Sequence, residues 1–184
     1  MRDVEKAAGF LNLFADNVSA GMDVEPIAWI RENVVDQQSA RSSHIDFTLS
    51  PFLLEPIDKF LNDGTVRHIN LMAPTGSGKS TLFVGLLNYL IANDAGNTLV
   101  AFQNEQETSD FAETRLFPTF RDNKALKNLL PKKRHAARKT EILFPHMNLW
   151  MVSATKGQLQ SKSCRYLIGD EMWAWEKGMA VSYT

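Results

Sequence analysis

Apolar residues return every third or fourth position from Val4 through Ala7, Ala8, Leu11 and Phe14 to Val18, with Gly21 just beyond. That period predicts an amphipathic helix over residues 3–20. A second helix opens at Pro26, which occupies the tolerated first helical position ahead of Ile27, Trp29, Ile30 and Val34. Residues 36–43 are polar without a period and read as a linker. Ser50-Pro51 has the form of a cap and first helical residue. Pro56 lacks an N–H, so the helix kinks there or begins there, and Asn62-Asp63-Gly64 ends it. The period then changes. A strand from His68 to Ala73, a glycine-bearing loop, a helix from Lys79 to Asn93 and a strand from Asn97 to Gln103 follow in order. Further helices are predicted over Glu105–Phe117 and Lys124–Leu130. Glu141–Phe144 and Asn148–Ser153 pair as an antiparallel excursion through Pro145-His146-Met147, and Arg165–Asp170 forms a buried strand. Strands alternating with helices specify an α/β fold with a parallel sheet flanked by helices.

The composition narrows the setting. With 184 residues, 44% of them hydrophobic, the chain supports one domain with a true core. A net charge of −1 supplies no global field for nucleic acid, so any contact with DNA rests on a local patch. The run from Lys132-Lys133-Arg134-His135 to Arg138-Lys139 is such a patch, and beside Pro131 it also reads as an ordinary solvated loop. One cysteine, Cys164, excludes an intrachain disulfide framework and fits a reducing compartment. Asp3 and Glu5 stand where a secretory signal needs positive charge. The longest apolar stretch, Leu82–Ala92, contains Asn88 and is too short to span a bilayer. A cytoplasmic protein with no membrane partner is expected.

Two motifs carry chemistry. Ala73-Pro74-Thr75-Gly76-Ser77-Gly78-Lys79-Ser80, followed by Thr81, matches the phosphate-loop pattern except for Ala73 at its leading glycine. Gly76 and Gly78 permit backbone angles that turn successive N–H groups inward as a cradle for phosphate oxygens. The helix beginning at the loop adds its positive end. Pro74 to Thr81 are therefore the candidate nucleotide-binding residues. Lys79 reaches for the β- and γ-phosphates, and the Ser80 hydroxyl for Mg²⁺. Downstream, the apolar run Tyr166-Leu167-Ile168-Gly169 delivers Asp170-Glu171. Asp170 takes the Mg²⁺ shell together with Ser80, and Glu171 orients or deprotonates the attacking water. Such a dipeptide alone often just ends a strand. Paired with an upstream phosphate loop, it makes Lys79, Asp170 and Glu171 the candidate catalytic residues for ATP. Trp173 and Trp175 read as packing or a nucleic-acid stacking surface, with packing preferred, and Phe52 as a helix face rather than an adenine platform.

A longer stretch of text resembles the lambda-type family of tailed-phage terminase large subunits, the motors that package DNA into capsids. The likeness runs from Trp29 with Glu32, through Pro51 with Leu54 and Asp58, to the strand Val66–Met72. Asn97-Thr98-Leu99-Val100 and Phe111 with Arg115-Leu116-Phe117-Pro118 come next, and then the approach to the acidic pair, Leu159-Gln160-Ser161-Lys162-Ser163-Cys164-Arg165-Tyr166-Leu167-Ile168-Gly169. The resemblance implies a P-loop NTPase of the additional-strand, catalytic-glutamate type. ATP and Mg²⁺ are its implied cofactors, and double-stranded DNA, a small terminase subunit and a portal protein its implied partners. A homo-oligomeric ring in the bacterial host cytoplasm is implied too. On this basis residues 1–45 are a helical lead-in and residues 46–184 the ATPase domain.

The family pattern continues with a coupling motif and a nuclease domain, whereas thirteen residues follow Glu171 here. The resemblance places the coupling-motif strand between the phosphate-loop strand and the acidic strand. A gap there would leave backbone groups unpaired, each costing about 1–3 kcal/mol if buried. A truncated domain, incomplete at its C-terminus and without the nuclease, is the resulting expectation. Alternatives are a nucleotide-binding remnant or assembly module without turnover, and a helicase-like ATPase fragment. Arg115, Arg121, Arg134, Arg138 and Arg165 are unranked candidates for the arginine that such chemistry needs.

Overall fold

The computed structural model describes residues 24–36, 44–131 and 137–175. The helix expected over residues 3–20, the body of the 36–43 linker and the basic residues 132–136 lie outside them. Helix α1, Pro26–Asn33, begins where the sequence placed it, and the Glu25 carboxylate accepts hydrogen bonds from the N–H groups of Ile27 and Ala28. Ser50-Pro51 opens a 3₁₀ turn, Pro51–Leu53, which runs directly into α2, Leu54–Asn62. Pro56 falls in the first turn of α2, where its missing N–H is no loss. Helix α3, Lys79–Asn93, is buried at Leu82 and throughout Val84–Ile91. So long an apolar stretch suits a helix covered on most sides.

Five strands form one sheet: β1 Thr98–Phe102, β2 Ala137–Arg138, β3 Glu141–Leu143, β4 Asn148–Ser153 and β5 Tyr166–Gly169, in the order β2-β3-β4-β1-β5. β1 pairs in parallel with both β4 and β5, β3-β4 is the expected antiparallel excursion, and β2 adds a short antiparallel strand beside β3 that the sequence did not announce. The molecule is thus mixed α/β, with parallel strands at the heart of the sheet. Side chains alternate across it. Val100, Phe102, Leu149, Met151 and Ile168 join the larger core with α1, α2 and α3. Leu99, Ala101, Trp150 and Val152 face a smaller cluster with Leu159 and Trp175. Leu159 lies on α6, Lys156–Gln160, a short helix that the sequence reading passed over.

Three expectations are corrected. Residues 66–74 run as irregular chain and join no strand among the described residues, so the predicted strand His68–Ala73 is not formed. A strand needs a neighbour for its N–H and C=O groups, and no described strand lies beside this one. Residues 124–129 form turns rather than a helix, built on Leu126 and Lys127 N–H groups that both donate to the Asn123 carbonyl. β5 is an edge strand in which Ile168 alone is buried, not a buried one.

The helix expected over Glu105–Phe117 is longer and irregular. Helix α4, Glu105–Phe111, passes through a π turn at Ala112–Leu116 into α5, Phe117–Asp122. Pro118 explains the widening: it removes the N–H that the Thr114 carbonyl would otherwise accept.

Candidate functional site

The loop ahead of α3 has the backbone that its glycines predicted. Gly76 and Gly78 stand at φ 77° and 92°, the left-handed region where a side chain is strained. A Cβ on Gly78 would also come within 3.3 Å of Leu53 Cδ1. The 3₁₀ turn before α2 therefore braces the loop, and the Ser50 hydroxyl donates to the Ser77 carbonyl at 3.1 Å. Gly78 caps α3 without a side-chain hydrogen bond, leaving the helix end open to an anion. Lys79 Nζ donates to the carbonyls of Ala73 and Pro74, each at 2.8 Å, so the ammonium folds back over its own loop. The Ser77 hydroxyl is buried and has no hydrogen-bond partner. Thr81 Oγ1 donates to the Asp36 carboxylate at 2.9 Å, a link across 45 positions that no sequence pattern announced.

The acidic pair sits at the carboxyl ends of the parallel strands, the edge where open α/β sheets place ligands. Asp170 N–H donates to the Ala101 carbonyl, which extends the β1–β5 ladder by one bond and fixes Asp170 at the strand tip. Burial pushes the Asp170 carboxyl above the usual carboxylate range, as does the neighbouring Glu171 charge. The Glu171 N–H, donating to Asp170 Oδ1, and the charges of Lys79 and Arg115 act in the opposite direction. The phosphate-loop lysine and the strand-tip acid are therefore within electrostatic reach of each other.

Glu171 has φ 47°, the one positive value at a described non-glycine residue. Strain of this kind costs about 1–3 kcal/mol and gathers at functional positions. The chain then turns back on itself through a 3₁₀ turn, Met172–Ala174. Gly169 makes the return possible: a Cβ there would lie 2.9 Å from both Met172 Cγ and Trp175 Cη2. Trp175 Nε1 donates to the Asp170 carbonyl at 3.0 Å. The two tryptophans read together from sequence thus part company, Trp175 being 7% exposed in the smaller core and Trp173 83% exposed. Phe52, in the 3₁₀ turn before α2, is 49% exposed rather than buried on a helix face.

Beyond Asp170 and Glu171 a cleft of about 310 Å³ opens, lined by Phe102, Glu107, Asp110, Arg115 and the acidic pair. Of the four candidate arginines among the described residues, only Arg115 reaches it. Arg165 is held in a two-pronged pair with Asp94 at the far end of β5. Arg121 lines a second cavity beside Lys139, Arg138 lies on β2, and Arg134 is outside the described residues. Of the basic run, Lys139 is paired with Glu113.

These residues fit a magnesium-bound triphosphate. The loop offers a glycine-bent cradle, a helix end, an orphaned buried hydroxyl and a mobile-length cation, while Ser80 and Asp170 offer hard oxygen donors suited to Mg²⁺. Among the described residues no group of three or more His, Cys, Asp or Glu is placed to hold a metal ion. No described helix is long and apolar enough to cross a membrane.

Comparison with known proteins agrees in kind. A family model described as phage terminase large subunit gpA, ATPase domain, matches residues 39–181. No curated protein and no solved structure matches. The match covers both motifs and the whole sheet, and the chain belongs to the phage terminase large subunit gpA ATPase-domain family.

Proposed function

We propose that this chain is the ATP-hydrolysing portion of a phage DNA-packaging motor with a P-loop NTPase fold, in which residues 46–184 form the ATPase domain and residues 1–45 lead into it. The observation that supports the reading is the glycine-bent loop running into Lys79 at the start of α3, with Asp170 fixed at the tip of β5 where its carboxyl feels the Lys79 charge. Family membership supports nucleotide use and DNA packaging in general.

In this reading the N–H groups of Gly76 to Lys79 and the Ser77 hydroxyl hold the β- and γ-phosphates. Lys79 leaves the carbonyls of Ala73 and Pro74 for the phosphate oxygens. Ser80 and Asp170 hold Mg²⁺, which when bound neutralises charge shared between the β- and γ-phosphates. Glu171 takes a proton from the attacking water, whose oxygen bonds to the γ-phosphorus as the bond to the bridging oxygen breaks. ADP and inorganic phosphate leave. Double-stranded DNA, a small terminase subunit, a portal protein and a ring of like chains are the partners of the complete motor, in the bacterial host cytoplasm.

Single-turnover hydrolysis with and without double-stranded DNA tests this. Phosphate release stimulated by DNA and abolished by Lys79→Ala is the expected result. Nucleotide binding without release would instead make the chain a binding module, a reading favoured by the irregular segment at 66–74, which joins no strand among the described residues.

A further inference from the structure

The cleft beside the acidic pair has an uneven charge. Glu107, Asp110, Asp170 and Glu171 line it, and Arg115 is the one cation among its described lining residues. No hydrogen bond or ion pair to a side chain holds the Arg115 guanidinium among the described residues, whereas Arg31, Lys59, Lys139 and Arg165 are each committed to a carboxylate. Its own backbone is well fixed. The Arg115 carbonyl accepts from Thr119 Oγ1 at 2.7 Å, and Thr114 Oγ1 donates to the Asp110 carbonyl at 2.7 Å. Arg115 also lies within the π turn, where one extra residue rotates the following side chains by about 100° relative to a continuous helix. Arg115 thus sits inside the irregular turn between α4 and α5, just ahead of Pro118.

From this placement we propose that Arg115 is the cation, supplied by the same chain, that stabilises the γ-phosphoryl group during hydrolysis, approaching from the cleft that it lines with Asp170 and Glu171. The inference rests on the nucleotide reading above and adds a role to it. As the bond between the γ-phosphorus and the bridging oxygen breaks, negative charge grows on that oxygen and persists on the three equatorial ones. Lys79 answers this charge from the loop. Arg115, with up to five N–H donors, answers it from the cleft side, next to the water that Glu171 deprotonates. Arg115 lines the same cleft as Asp170 and Glu171, and the charges of both Arg115 and Lys79 are felt by the Asp170 carboxyl. Arg165 is excluded by position: it precedes β5 and Asp170 follows it, a separation of about 16 Å at the rise of an extended strand.

Binding of mant-ADP with Mg²⁺ is to be titrated with and without aluminium fluoride, a planar stand-in for the transferring phosphoryl, for the unaltered chain and for Arg115→Ala, Arg115→Lys and Arg121→Ala. The unaltered chain and Arg121→Ala should tighten on adding fluoride. Arg115→Ala should keep its MgADP affinity within roughly twofold and lose the tightening by a factor of at least roughly a hundred, with Arg115→Lys between them. Thermal midpoints guard against misfolding, and Arg115→Gln replaces the alanine variant should that one unfold. Tightening retained in Arg115→Ala overturns the assignment alone. Equal loss of MgADP affinity and tightening overturns it too, since the residue would then be structural. Failure of the unaltered chain to bind MgADP overturns the nucleotide reading, and the role of Arg115 with it.

Discussion

Asp170 is a carboxylate held where burial opposes its charge and Glu171 adds repulsion. Its pKa in the folded chain lies above the unfolded value, so the folded state binds the proton more tightly. The sign follows directly: this residue favours folding most below the unfolded pKa, and that contribution is lost as pH rises through the raised folded value. Above that raised value the chain holds an ionised acid at some cost, which Mg²⁺ would relieve. Asp170→Asn keeps an oxygen to accept from the Glu171 N–H and removes the charge. Its thermal midpoint at pH 7 should equal or exceed that of the unaltered chain, while Mg²⁺-dependent tightening of ATP binding disappears. A clear fall in the midpoint would show that the carboxylate stabilises the fold. Much at this scale was readable beforehand, because Gly76, Gly78, Lys79 and the acidic pair form patterns whose chemistry is local. Arg115 was readable only as one of five arginines. Its selection depends on the cleft it shares with Asp170 and Glu171, and the Asp36–Thr81 link depends on a tertiary contact, so neither leaves a local signature.

At the scale of elements, the sequence located α1, α3, β1, the β3–β4 hairpin and the end of α2 to within a residue or two. These have caps, prolines or apolar periods of their own. The failures share a cause. The segment 66–74 has the alternation of a strand, yet strand structure belongs to a pair of segments and not to one. Residues 124–129 have helical composition but are drawn into turns around Asn123, whose side-chain amide donates to Asn88 in the core at 2.9 Å. Amide hydrogen exchange should reflect the difference. Residues 98–102 and 149–152 should be strongly protected and residues 66–73 weakly, although Val66, Ile69, Leu71 and Met72 are apolar as well. Comparable protection in both sets would mean that the 66–73 segment finds a ladder in solution.

The whole molecule is a sheet with unequal cores, a larger one beneath α3 and a smaller one closed by Trp175. Sequence implied the layered α/β plan but not this imbalance, which arises because the chain beyond Glu171 folds back over Gly169. Trp175 consequently serves both packing and the site, since its indole N–H holds the Asp170 carbonyl. Trp175→Ala should cost about 3–5 kcal/mol in denaturant unfolding, a large share of a typical domain's stability, and should weaken MgATP binding as well. Unfolding at an unchanged denaturant midpoint would show that the smaller core is not closed by this residue. Trp173, two positions from Glu171, has the opposite character. Its indole faces water while those of Trp150 and Trp175 are enclosed. Collisional quenchers in the solvent will therefore find this ring first, and its emission will change with whatever docks beside Glu171, giving the chain a built-in optical gauge of its own occupancy.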